Sequence, residues 1–362
     1  MNGPFVGVRV VEFASIGPGP HCAMLLADLG ADVIRIDRAG GNGWPNPVVD
    51  RGRATLTLDI RTEAGRETCL KACSHADVVI EGFRPGVMER LGLGPNALLT
   101  RNPRLVYGRM TGWGQQGPLA PRVGHDINYI ALTGALRAIG TPGGPSIPPL
   151  NLVGDFGGGS LFLAFGIAAA LFEREKSGKG QVVDAAIVDG VSNLMTMFAG
   201  LLPNERISLD RSRNLLAGSA PFYRTYRCAD GREVAIGALE EQFWTTLLEL
   251  LGLDAQEAGL SQAEKDWAST TERLEGVFAT RSSHEWEQIF ENADACFAPV
   301  LSLEEAMANE HLESRETYVM HNGLKQVAPA PRFSRTPGAI RESRSGDEEL
   351  ARWVATTGEA ER

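Results

Sequence analysis

Two glycine-flanked segments place titratable side chains where a ligand, rather than a core, would meet them. In Gly124-His125-Asp126-Ile127-Asn128-Tyr129 a lone His and an Asp open an apolar helical stretch. In Asn151-Leu152-Val153-Gly154-Asp155-Phe156-Gly157-Gly158-Gly159-Ser160 an Asp precedes three glycines and a second apolar helix. Side chains at such junctions project from helix N-termini, and an imidazole and a carboxyl presented together suit paired proton transfer. Each has a plainer reading: His125 could hold a loop, with Asp126 as the N-cap of its helix, and Asp155 could be only a cap. The glycines favour function for Asp155, because they let backbone and ligand approach closely and expose amide N–H groups to a developing oxyanion. Glu240, in Gly237-Ala238-Leu239-Glu240-Glu241, ends a strand and opens a helix; either it or Glu241 could be a first-turn acid favoured by the helix dipole.

The elements that must position these groups alternate. Val8 to Phe13, Asp32 to Ile36, Thr55 to Asp59, Val78 to Ile80, Leu105 to Tyr107 and Gln181 to Asp184 have strand character, with helical stretches at His21 to Leu29 and Glu63 to Ser74. This order predicts an α/β fold, a large domain with a parallel, helix-covered sheet. Near Leu202 the pattern changes: Pro221 to Arg227 and Glu233 to Ile236 flank Ala229-Asp230-Gly231, a hairpin signature, and Trp-bearing helices follow, as in a smaller α+β domain. The expected division is a large domain over 1–200, a linker over 201–221, a small domain over 222–310 and a return segment over 311–362 packing on the large domain.

Arg38, Arg61, Arg84 and Arg90 fall near the ends of first-domain elements, where α/β sheets bind ligands. Singly each reads as solvated surface; together they supply the positive charge an anionic ligand requires. No dinucleotide fingerprint accompanies them. Gly92-Leu93-Gly94-Pro95-Asn96-Ala97 follows a helix rather than a strand, and the prolines of Gly17-Pro18-Gly19-Pro20 remove amide donors, so that segment reads as a stiff turn closing a site.

With 45 acidic and 35 basic residues the net charge is −10, which disfavours nucleic-acid or anionic-membrane partners. Cys22, Cys69, Cys73, Cys228 and Cys296 form no CxxC pair, so neither a disulfide framework nor a metal site is expected. Met1-Asn2-Gly3-Pro4-Phe5 has no charged or apolar signal region, Glu359-Ala360-Glu361-Arg362 is no recognisable address, and the apolar run Leu161 to Phe172 is too short to span a bilayer; a cytoplasmic protein is expected.

Several longer segments are similar to a known family. Val8 to Phe13 with Gly17-Pro18-Gly19, Leu26 to Ile34, Glu81-Gly82-Phe83-Arg84-Pro85-Gly86 and Thr111 to Pro118 resemble the family III CoA-transferase superfamily. Gly124 to Tyr129, Asn151 to Ser160, Gly178 to Asp184 and Pro331-Arg332-Phe333-Ser334 resemble, within it, the α-methylacyl-CoA racemases, especially bacterial ones. The resemblance covers nearly the whole chain. It implies an interlocked homodimer with each site between one subunit's large domain and the other's small domain. It implies that His125 and Asp155 exchange protons, with Glu240 paired to His125. Arg38, Leu58-Asp59-Ile60-Arg61, Gly82-Phe83-Arg84, Arg90 and Gly124 to Tyr129 (Asp126, Ile127 and Asn128 included) are implied to contact CoA. No cofactor is implied beyond the CoA of the substrate. Two positions depart from the family: Arg61 stands where relatives often carry Lys, and Glu241 stands where a bacterial pattern has Pro.

The implied activity interconverts (R)- and (S)-2-methylacyl-CoA through an enolate. Inversion requires removing a proton from one face and returning one to the other, so two groups in opposite protonation states must flank the carbon. Asp155 then needs a raised pKa, for which burial beside Phe156 is the expected lever, opposed by the helix dipole. The alternative is CoA transfer with Asp155 as covalent nucleophile, against which stands Ala238-Leu239-Glu240 where formyl-CoA-type transferases have a glycine-rich lid. A non-catalytic acyl-CoA binder is the third reading, disfavoured by retention of His125, Asp155 and Glu240.

Overall fold

The computed structural model describes residues 3–41, 44–255 and 259–360; Met1, Asn2, part of the Gly40 to Pro47 loop and the terminal Glu361-Arg362 lie outside the described residues. The chain forms two compact units. One is drawn from residues up to Thr133, from Pro149–Leu194 and from His311 onward; the other comprises Gly134–Pro148 and Met195–Glu310.

In the first unit, strands Arg9–Phe13 (β1), Asp32–Asp37 (β2), Arg53–Thr57 (β3), Val78–Glu81 (β4), Val106–Thr111 (β5) and Val182–Ala186 (β6) pair in the order β3-β2-β1-β4-β5-β6, all parallel. Such sheets are covered on both faces, and β4 is buried along its whole length. The third strand begins two residues earlier than the sequence predicts, because buried Arg53 is held by Glu12 of β1 at 2.6 Å. Leu58 and Asp59, expected at its end, therefore follow the strand instead.

Helices Pro18–Asp28 (α1), Glu63–Ser74 (α2), Val87–Arg90 (α3), Pro95–Arg101 (α4) and Asp126–Leu132 (α5) follow in chain order. The segment expected as a stiff turn before a helix at His21 is instead the first turn of α1. Gly17, at φ +72°, is its N-cap, and Pro18 takes the first helical position, where a missing N–H costs nothing. A π-helix, Leu152–Leu161, runs directly into Phe162–Ser177 (α6), followed after β6 by Ile187–Leu194 (α7). Together Leu152–Ser177 make one helical stretch of 26 residues, long and apolar enough to cross a membrane by length and composition, whereas the sequence run was expected to be too short. One of its faces packs on the sheet: Leu163 and Ile167 lie over Gly108 of β5.

The second unit holds an antiparallel sheet of Tyr223–Arg227 (β7), Glu233–Gly237 (β8) and Phe297–Pro299 (β9), with β7 and β8 joined as a hairpin. Helices Glu241–Leu250 (α8), Trp267–Phe278 (α9) and Ser283–Phe290 (α10) pack around Tyr226, Phe278 and Trp286. Residues 134–148, placed in the large domain from sequence, belong here. Arg211 donates to the carbonyls of Ile139 at 3.3 Å, Gly144 at 2.6 Å and Pro145 at 3.1 Å, which also ties the stretch expected as a linker, 201–221, into this unit.

After His311 the chain adds a hairpin, Tyr318–His321 (β10) with Leu324–Val327 (β11), to the first unit. Arg344–Ser345 (β12) then pairs in parallel with β3 as a seventh strand, and Gly346–Ala360 (α11) buries Trp353 among the side chains beneath β1, β2 and β4. The short edge strand has no signature in the sequence.

Candidate active site

Asp155 and His125 line one cavity of about 430 Å3 in the first unit, at the C-terminal ends of β1, β4 and β5. Gly17, Gly82, Phe83, Arg84, Gly124 and Tyr129 form further walls, and Ile16, Met110, Val123 and Ile187 supply apolar surface.

Asp155 is not a helix cap. It sits inside the π-helix, where its N–H donates to Asp126 Oδ1 at 2.7 Å. Its pKa is pushed from 3.8 up to about 6, first by burial and then by the neighbouring Asp126 charge, while a hydrogen bond from Asn151 and the proximity of His125 act in the opposite direction. Burial was the lever expected from sequence; the second carboxyl was not. The glycines that follow do different work from that predicted. A Cβ on Gly158 would lie 2.7 Å from the Val191 amide nitrogen of α7, and one on Gly159 would meet Ile187 and Pro18, each at 3.1 Å. They let two helices close on the π-helix, and none of the three lines the cavity.

His125, not Asp126, is the N-cap of α5; its N–H donates to Asn128 Oδ1 at 3.0 Å, and its side chain is exposed. Tyr129 fixes the approach, its hydroxyl donating to the Gly124 carbonyl at 2.5 Å while its ring meets Trp113 edge-on at 4.7 Å. Of this run, Gly124, His125 and Tyr129 line the cavity; Asp126, Ile127 and Asn128 do not. The Asp126 carboxyl is turned onto the π-helix backbone. Its Oδ2 has no hydrogen-bond partner among the described residues, and burial raises its pKa.

A second cavity, about 930 Å3, shares Ser15, Ile16, Gly82 and Phe83 with the first. It gathers Arg38, Leu58, Asp59, Ile60, Arg61 and Arg90. Arg38, Arg84 and Arg90 form no ion pair among the described residues, whereas Arg61 is bound to Asp59 at 2.8 Å and its hydrogen bonds hold that carboxyl down to about 2. The wall between the cavities is anchored from below. Fully buried Glu81 accepts the Phe83 N–H at 2.7 Å and is gripped by Arg109 at 2.9 Å, and burial pushes its pKa up to about 7.

Glu240 belongs to the second unit, where it is the exposed N-cap of α8 with Glu241 next to it. Sequence reasoning missed His21, whose Nδ1 lies 2.7 Å from Ser160 Oγ and whose ring stacks on Phe156. Its partners lie more than a hundred residues away, and only the preceding Gly-Pro-Gly-Pro hinted that this helix start was unusual.

Comparison with known proteins places the chain. The profile of CoA-transferase family III matches residues 5–344. The chain belongs to CoA-transferase family III. Within family III it is 45% identical over 332 residues to the α-methylacyl-CoA racemase of Mus musculus, covering 91% of this chain and 87% of the relative. The α-methylacyl-CoA racemase of Homo sapiens is 43% identical over 335 residues with the same coverage. A succinyl-CoA–D-citramalate CoA-transferase from Chloroflexus aurantiacus is 31% identical over 375 residues, 93% of this chain and 89% of the relative. A CaiB/BaiF family structure from Brucella suis superposes with a TM-score of 0.84 at 26% identity, covering 98% of this chain and 100% of the other.

Proposed function

We propose that this protein is an α-methylacyl-CoA racemase, interconverting (R)- and (S)-2-methylacyl-CoA by proton transfer through an enolate. The observation that carries the reading is one cavity bearing an imidazole and a desolvated carboxyl raised to about 6, beside a cleft whose Arg38 and Arg90 form no ion pair among the described residues. A carboxyl in that condition takes up a proton far more readily than a solvated Asp, so it can alternate between acid and base. Neutral His125 abstracts the proton next to the thioester from one enantiomer while Asp155 as the acid donates to the opposite face; the reverse reaction exchanges the roles. The apolar walls at Ile16, Met110, Val123 and Ile187 suit a branched acyl chain, and Arg38, Arg84 and Arg90 suit the phosphates of CoA. No cofactor enters the scheme beyond the CoA carried by the substrate.

A homodimer, with Glu240 serving His125 as its carboxylate partner, completes the proposal. Leu161, Phe165 and Phe172 support it: they lie along one face of the π-helix and α6 and are 52%, 74% and 66% exposed, more apolar surface than a solitary helix leaves in water. Cysteines that are free, four of them buried, support a reducing, cytoplasmic setting.

The test is incubation with a single enantiomer of a 2-methylacyl-CoA in heavy water. Deuterium should enter the carbon beside the thioester as configuration is lost, and His125→Ala and Asp155→Ala should each abolish the loss of configuration. An enzyme anhydride trapped by hydroxylamine, with exchange that depends on an added carboxylic acid, would establish the CoA-transferase reading instead.

A further inference from the structure

His21, in the first turn of α1, has no part in the proton-transfer scheme, yet three contacts of its helix bracket Asp155. Its ring stacks on Phe156, the residue after Asp155, with centroids 4.3 Å apart and planes 18° from parallel. Its Nδ1 is joined by a hydrogen bond, 2.7 Å, to the Oγ of Ser160, a fully buried hydroxyl near the far end of the π-helix. Earlier in the same turn, Gly17 lies against the carboxyl itself: a Cβ there would stand 3.0 Å from Asp155 Oδ2.

A π-helical register is rare, and like other unfavourable backbone states it persists where its surroundings hold it. Returning residues 152–161 to α-helical bonding would rotate the side chains of this stretch relative to α6, Asp155 among them. We propose that His21 is a positioning residue for Asp155: by gripping Ser160 and Phe156 together it locks the π-helical register that aims the Asp155 carboxyl into the cavity. The inference rests on Asp155 being a proton-transfer group. Burial, with the nearby Arg51 charge, lowers the His21 pKa to about 4, so the ring is uncharged near neutrality. It thus supplies a directional bond without setting a cation beside Asp155, which would favour the carboxylate over the acid.

The experiment measures racemisation of a 2-methylacyl-CoA, with kcat and KM resolved, and thermal melting for the full-length protein. His21→Leu removes both bond and stack. It should lower kcat by about 10- to 100-fold, the scale of a misplaced reacting group, and leave KM unchanged. His21→Asn sets an amide nitrogen close to where Nδ1 stood and should recover most of that loss, but not when combined with Ser160→Ala. Wild-type kcat in His21→Leu, a change in KM alone, or equal losses for Leu and Asn would overturn the role. Should His21→Leu melt below the assay temperature, His21→Asn and Ser160→Ala decide: wild-type kcat in folded Ser160→Ala refutes the lock. Asp155→Asn is assayed alongside. Wild-type-like turnover there refutes the proton-transfer reading itself, whereas a strongly impaired Asp155→Asn beside a fully active His21→Leu refutes only the lock.

Discussion

The two cavities of the first unit share the Gly82-Phe83 wall and place their charges in opposite conditions. In the larger, Arg38, Arg61 and Arg90 stand exposed on loops and short helical ends, Arg38 and Arg90 outside any ion pair among the described residues and able to meet a strongly charged ligand. In the smaller, Asp155 is set into a helix, half-buried, with a second carboxyl on its own backbone N–H. The lesson is one of dielectric. A cation that must only attract can stay in water at no desolvation cost, while a group that must give and take a proton near neutrality has to be moved out of water to bring its pKa there.

Substitutions can break that contrast, beginning with the largest effect. Asp155→Asn removes the acid and should cut racemisation by about 100- to 10,000-fold with KM for the thioester nearly unchanged, read by steady-state kinetics. Gly17→Ala places a methyl against the Asp155 carboxyl and forces a side chain into the left-handed region, costing about 1–2 kcal/mol. It should lower kcat by about 10-fold or more, whereas an equivalent drop in substrate affinity alone would blur the distinction between the cavities.

In the cationic cleft the effect should fall on KM. Arg90→Ala loses a charge-assisted contact and should raise KM by about 10-fold, more so at low salt, with kcat retained. Asp126→Asn keeps an acceptor for the Asp155 N–H but removes the neighbouring charge. The Asp155 limb of the pH profile, set by its value of about 6, should move toward acid by about one unit, and an unmoved limb would leave burial as the sole cause.

The stability of Asp155→Asn has a sign that follows from the same shift. Because the folded pKa of about 6 lies above the ordinary 3.8, the native carboxyl's stabilising share is present below about pH 4 and is lost as pH rises through 6. Melting curves should therefore show the Asn variant gaining on the wild type above pH 6 and losing that gain toward pH 4. Arg61→Ala should have the smallest effect, since Asp59 already engages that guanidinium.

Much of the large sheet was written locally. Val8 to Phe13, Asp32 to Ile36 and Val78 to Ile80 are apolar runs bounded by turn residues, and each is a parallel strand because such runs are stable only when covered on both faces. Arg344–Ser345 could not be seen this way, since two polar residues become a strand only when the edge of β3 presents itself. The residues of the site were likewise legible as chemical types: a lone His, an Asp before glycines, arginines at strand ends.

Amino-acid order alone determined which groups were available, where helices and strands run, and that the chain resembles family III. Tertiary structure decided what those groups became. Asp126, 29 positions from Asp155 in sequence, sits on its N–H; α7 uses the glycines the sequence offered to a ligand; and His21 reaches Ser160 across 139 residues. Desolvation and charge coupling depend on distance through space, which spacing along the chain does not encode.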